Sequence, residues 1–339
     1  MSVTARSGLQ RFLQLAFYVA WAAVLGISVP LGVVNTVFLN SEAAEDDRRY
    51  HAVYVANLAV AMGGVELLPW AIRSEKPMTQ PKRWWHLAGG LGSIPVFFAI
   101  AATSMLGSQV VLVVQLAALL TTFFIFDLVD GRVRLNDVTK FPALLIIFSG
   151  VVLENVDQGA AVSGSSSIEA IAMLALVAVS GMGFAIQSKC NSALAEDLGS
   201  AFRASVVSSI VHVVVSVPVE LYIFFGCHVP VSLSVNRWVC WLAAGLQSAF
   251  YITSMAYLPK VLGFTKCYVI SSVAKMVTSL IIDAKGLTGQ AIPISMTRVC
   301  ALVIVLLGSV VFNAAIKPED KTRTYGSLEQ ASASKEECI

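Results

Sequence analysis

Apolar residues run along this chain in long blocks broken by short polar clusters, instead of alternating with polar ones. The stretch "AIAATSMLGSQVVLVVQLAALLTTFFIF" is interrupted by little more than "LGS" before the polar "DLVDGRVR" ends it. A helix needs about 20 consecutive apolar residues to cross the hydrocarbon core of a bilayer. On that measure the pattern predicts ten spanning helices, over 13–39, 51–72, 84–106, 108–127, 139–154, 167–190, 201–225, 238–258, 262–282 and 297–316. The breaks leave almost no extramembrane domain. The expected fold class is therefore all-α integral membrane.

Composition agrees. Of 339 residues 57% are apolar and 13% charged, about half the charged fraction of soluble chains. A net charge of +2 gives no basic surface for nucleic acid. The six cysteines form no C-x-x-C pair and the four histidines are scattered, so no disulfide framework, metal site or cofactor is expected. Without a nucleophile–base pair or a phosphate loop an enzyme is not expected, and no repeated filter residues suggest a selective channel. The start "MSVTARSGLQRF" leads into a run too long for a cleavable signal peptide.

Charge sets the expected orientation. Of the 23 lysines and arginines, sixteen fall on the side of the N-terminus. Five (Arg48, Arg49, Arg237, Lys285, Arg298) fall on the other, while Lys266 and Lys275 lie within the ninth span. Cytoplasmic loops retain the excess of such residues, so both termini are expected in the cytoplasm of a plasma-membrane or endomembrane protein. Trp70, Trp84, Trp85, Trp238 and Trp241 cluster near span ends, as interfacial indoles do. The polar tail from Lys317 is expected to be disordered, and its "YGSL" (Tyr325 to Leu328) resembles a eukaryotic endomembrane sorting signal read by an adaptor. The final "EECI" is not a prenylation box.

The chain also resembles itself. "QLAALLTTFFIFD" (115–127) lies over "SSVAKMVTSLIID" (271–283), and "AGGLGS" (88–93) over "AAGLQS" (243–248). Similar offsets pair Asn35 with Asn191, Glu66 with Glu220, Gly150 with Gly308 and Asn155 with Asn313. Five spans per half is an odd number, so the second half would enter the membrane upside down. Inverted repeats of this kind mark secondary transporters, whose substrate site lies near the midplane between the halves. The expected organisation is an N-terminal segment 1–12, a first repeat 13–155, a linker 156–166, a second repeat 167–316 and a tail 317–339.

"GFAIQSKCNSALAEDLGSAFRASVVSSIV" (183–211) resembles the YdcZ-like family of the drug/metabolite transporter superfamily. "WWHLAGGLGSIPVFFAIAATSMLGSQVVLVVQ" and "FIFDLVDG" are similar to another part of the same module. The resemblance implies a ten-helix inverted bundle that acts as a transporter, here as a fused tandem duplicate of a module half this length. Two positions depart from the pattern. Leu31 stands at the equivalent of Gln187, and Ser271 at the equivalent of Gln115.

Lys275 is the foremost candidate for substrate contact. A cation inside a span costs several kcal/mol unless it faces a cavity or a partner, and its repeat equivalent is Leu119. Ser271, Lys275, Ser279 and Asp283 recur every four residues and so stack along one helix face. The structural alternative is that Lys275 snorkels toward Asp283 or the headgroups. Gln115, Gln187, Asn35 and Asn191 are further substrate-contact candidates, although each could equally join or cap helices. Asp127 and Asp283 read mainly as turn-formers. Glu66, Glu220 and His212 are candidates for proton coupling, with interfacial solvation or a satisfied histidine as the plainer readings.

The function expected is secondary-active transport of a small polar, anionic metabolite, with proton coupling as an option. An exporter of lipophilic cations or drugs is the alternative within that class. Outside it stands a non-transporting scaffold or trafficking factor. The expected partners are a small-molecule substrate and the lipid bilayer, with a homodimer and the tail's adaptor left open.

Overall fold

The computed structural model describes residues 3–41, 47–74, 80–92, 94–98, 102, 108–129, 140–158, 167–231, 235–287 and 293–314. Long α-helices dominate them: α1 Val3–Asn40, α2 Arg48–Ile72, α3 Ser108–Val129, α4 Lys140–Gln158, α5 Ser167–Asp197, α6 Ala201–Leu221, α7 Trp238–Leu262, α8 Phe264–Ala284 and α9 Met296–Ala314. Six are long and apolar enough to cross a membrane. The sorting motif at Tyr325–Leu328 and most of the expected linker lie outside the described residues.

Nine of the ten expected spans correspond to α1–α9, with ends that differ by up to about ten residues. The third differs in kind. Trp84–Gly92 is a 3-10 helix, followed by a short helical stretch over 94–98. Its "AGGLG" explains the change, because glycine is a poor α-helix former and lets backbones approach closely. A Cβ on Gly90 would run into Val211 and the backbone of His212, and one on Gly89 into Asn191. The segment is thereby pressed between α5 and α6.

Helix α5 runs seven residues past its expected end at 190. The extra turns bury Asn191, Leu194, Ala195 and Asp197, and Asp197 accepts the backbone N–H of Lys82 at 2.9 Å and the ring of His86. Tertiary contact, not apolar length, sets that end. Arg203 ties the same end of the bundle, donating to the carbonyls of Ala71 (3.1 Å), Ser74 (2.9 Å) and Leu198 (3.3 Å).

The packing is inside-out in polarity. Along α6, Ser205, Ser208, Ser209, His212 and Ser216 are buried, while Ile210 and Val214 are 59% and 65% exposed. An apolar face turned outward and small polar residues turned inward suit a lipid surround. Helix α1 packs on α7 and α8, α5 on the 3-10 segment and α3, α2 on α6 and α7, and α4 on α9. The main apolar core gathers Leu25, Leu120, Phe123, Met255, Leu258 and Tyr268 from α1, α3, α7 and α8.

Candidate functional site

A cavity of about 1080 Å³ lies between α1, α2, α3, α6, α7 and α8. That is at the upper end of ligand-sized pockets, which span about 300–1000 Å³. It extends to the end of the bundle where α1 gives way to α2, at Asn40, Ser41 and Arg48. Past Leu25 and Tyr268 of its lining, away from that end, lies a layer of packed rings, an aromatic floor. Trp21 stacks with Tyr257 and Phe250 at centroid distances of 5.5 and 6.5 Å, and its indole N–H donates to Ser254 Oγ at 2.9 Å. Phe123 packs on Phe264 at 5.3 Å and on Tyr268 at 4.6 Å.

Helix α8 supplies the polar wall. Ser271, Ser272, Lys275, Ser279 and Asp283 all line the cavity, as the fourfold spacing predicts for one helix face. Asp283 is engaged by Arg298 of α9, whose Nη2 lies 3.4 Å from Oδ2, with both side chains buried. Among the described residues no carboxylate lies within ion-pair distance of Lys275. Asp283 is thus a buried ion-pair partner in the cavity wall, beyond the turn-forming role read for it; the side chain of Asp127 lies outside the described residues.

Other candidates divide by place. Gln115 lines the cavity from α3, and its Nε2 donates to Ser180 Oγ at 2.7 Å, which in turn donates to the Pro95 carbonyl at 2.9 Å. Gln187 and Asn191 lie outside the wall. They rest on Gly92 and Gly89 of the 3-10 segment, where a Cβ would strike them. Asn35 is also outside, its Nδ2 donating to the Cys240 carbonyl at 2.8 Å and so joining α1 to α7.

Two of the three proton-coupling candidates are bridged and the third lies apart. His212 lines the cavity, and its Nε2 is 3.0 Å from Asn57 Oδ1. Asn57 Nδ2 donates to Glu220 Oε1 at 2.7 Å. An amide on α2 therefore links the cavity histidine to Glu220, two turns on along the same helix; the bridging Asn57 is what the sequence did not suggest. Glu66 lies elsewhere, facing Gly245 of α7, where an added Cβ would come within 2.7 Å of Oε1. Both its carboxylate oxygens are buried and accept no hydrogen bond from the described residues.

Gln247, Ser248, Tyr251 and Tyr268 also line the cavity and were not foreseen. Gln247 had left a trace, since it replaces Gly92 in the paired stretches "AAGLQS" and "AGGLGS". It leans on Gly32, where a Cβ would come within 2.7 Å of its amide.

Comparison with known proteins points the same way. The family model described as "Putative inner membrane exporter, YdcZ" matches residues 172–311, from α5 to α9. One solved structure, described only as "Crystal structure of protein", superposes with a TM-score of 0.59 at 18% identity, covering 86% of this chain and 98% of that one. At that identity the likeness is one of fold. No curated protein matches the chain in sequence. With the apolar helices, the family match marks a multi-pass membrane protein with a transporter's character.

Proposed function

We propose that the protein is a secondary-active transporter that moves an organic anion by alternating access between two inverted five-helix repeats, both termini cytoplasmic. The observation that carries this reading is Lys275, a cation in a cavity wall midway along a spanning helix with no carboxylate partner among the described residues. Intramembrane cations usually face a cavity and mark a substrate path. Ser271 and Ser279 flank it one turn to either side; Ser271 Oγ donates to the Tyr268 carbonyl at 3.1 Å and must rotate from it to reach an oxyanion, as a hydroxyl can.

Packing supports the repeat, and with it the tandem duplication. If α1–α2–3-10 segment–α3–α4 is equivalent to α5–α6–α7–α8–α9, the contact of α1 with α8 maps onto that of α5 with α3. Likewise α1 on α7 maps onto α5 on the 3-10 segment. One detail is reciprocal. Gln187 of α5 covers Gly92, whereas Gln247 of α7 covers Gly32, so the amide has changed sides between the two interfaces. That exchange places Gln247, and not Gln187, in the cavity.

His212, Asn57 and Glu220 form the proton-coupling route, with Glu66 as a second acidic site at the equivalent position. Glu220 accepts from Asn57 Nδ2, which leaves Oδ1 for the Nε2–H of His212. A proton on Glu220 favours the flipped amide, and the flip would present an N–H to His212 instead. Protonation at one end thus changes the tautomer held at the cavity.

The test is flux in proteoliposomes with an imposed pH gradient. Wild type takes up organic anions, Lys275→Leu does not, and Lys275→Arg retains part. Uptake of lipophilic cations, spared or broadened in Lys275→Leu, would favour the drug-export alternative. Absence of all flux, with Lys275→Leu functional in cells, would favour the scaffold.

A further inference from the structure

Cargo class follows from how polarity is distributed around the cavity, given the reading of that cavity as the substrate site. We infer that it selects an amphipathic anion: one carboxylate or phosphate head seated on the α8 stripe, with an apolar body along α1, α2 and α3. Polar lining is concentrated rather than spread evenly. Ser271, Ser272, Lys275 and Ser279 come from α8, joined by Gln247, Ser248 and Tyr251 of α7 and His212 of α6, whereas inward of Arg48 α2 contributes Ala52, Ala56, Ala59 and Val60. Helix α3 adds Val111, Leu112, Leu116 and Leu119 around Gln115, whose amide N–H already serves Ser180. Along α1, from Leu25 to Val37, the wall carries one hydroxyl, Thr36, and that donates to the Gly32 carbonyl of its own helix at 2.9 Å.

A small, wholly polar anion leaves those walls wetted and most of the 1080 Å³ unfilled. An apolar body covers them instead. Charge count fixes the head as single, because Asp283 is matched by Arg298 and Lys275 is left as the deep cation. Arg48 stands at the exposed end.

Each methylene that leaves water contributes about 0.8 kcal/mol, or about fourfold in affinity. The experiment is calorimetric titration of straight-chain carboxylates of increasing length into the full-length protein in phosphatidylcholine nanodiscs, with empty discs as the partition baseline. Expected is a rise of about fourfold per methylene, at least tenfold weaker binding of every acid to Lys275→Leu, and no binding of alcohols of equal length. Val33→Asn on the α1 wall should flatten the length dependence while sparing the shortest acid. Equal affinity for short and long acids would overturn the inference, and so would length dependence unchanged in Lys275→Leu, which is partition alone. Two sources share this chemistry, a free acid and an anionic lipid of the bilayer. Competition by phosphatidylglycerol in the discs assigns the lipid, and its absence the free acid; either supports the class. Length-dependent, Lys275-dependent binding without proteoliposome flux would remove the transport reading and leave this one standing. Flux of short acids with no length preference would do the reverse.

Discussion

Lys275 and Arg298 are two cations with different surroundings. Arg298 is buried and meets Asp283, while Lys275 faces the cavity. Removing one partner of a buried ion pair costs about 3–5 kcal/mol, because the other charge is left uncompensated. Asp283→Asn should therefore lower the melting temperature of the purified protein, and adding Arg298→Met should recover most of the loss. Lys275→Leu should melt at least as high as wild type, since no pair is broken. A Lys275→Leu protein as unstable as Asp283→Asn would make the lysine structural. Asn57→Leu tests the coupling route: pH-driven uptake should fall while acid binding at equilibrium is kept, and unchanged stimulation by the gradient would remove the route. The Ser271–Lys275–Ser279–Asp283 stripe was legible in the sequence because one helix carries all of it. The Arg298 pair and the Asn57 bridge were not, because each depends on a neighbouring helix whose register no local spacing encodes.

Helices here meet through glycine, and the consequences can be separated from those of bulk apolarity. A Cβ on Gly26 would collide with the Ser271 carbonyl and come within 2.8 Å of Ala274 Cβ, at the crossing of α1 with α8. Overpacking of this kind costs about 1–3 kcal/mol. Gly26→Ala should lower the melting temperature, whereas Val214→Ala on the outward face of α6 should change it little. Equal losses would show that the outward face is packed against protein. Apolar length located the helices, six of which among the described residues are long and apolar enough to cross a membrane. It failed at Trp84–Gly92, where three glycines let the chain tighten into a 3-10 helix under α5 and α6. It also stopped α5 short, since Asp197 and its partners His86 and Lys82 are joined across the fold.

The cavity leads to one end of the bundle while packed rings lie beyond it toward the other, an asymmetry that the proposed alternating-access cycle would use. The proposed inversion of the halves rests on paired landmarks in the sequence such as Asn35 and Asn191. Which end the cavity leads to was not legible there, because that depends on how Trp21, Phe123 and Tyr257 stack once α1, α3 and α7 meet. Cys267 reports on that layer of rings, being fully buried in the core beside Tyr268. In a variant that keeps Cys267 alone among the cysteines, a polar thiol reagent should modify it slowly. Trp21→Ala removes the hydrogen bond to Ser254 and three ring contacts. An aromatic pair alone is worth about 0.5–1.5 kcal/mol beyond its buried area. Roughly 1.4 kcal/mol is tenfold in an equilibrium, so labelling should accelerate by about that factor. Cargo that drives the cycle should accelerate it in the unmodified floor as well, and in neither case should Cys190, retained alone, respond in parallel. If Cys267 labels at one rate in all conditions, the aromatic floor does not open. The cavity would then be a binding pocket with a single entrance, and alternation between the halves would have no gate to act through.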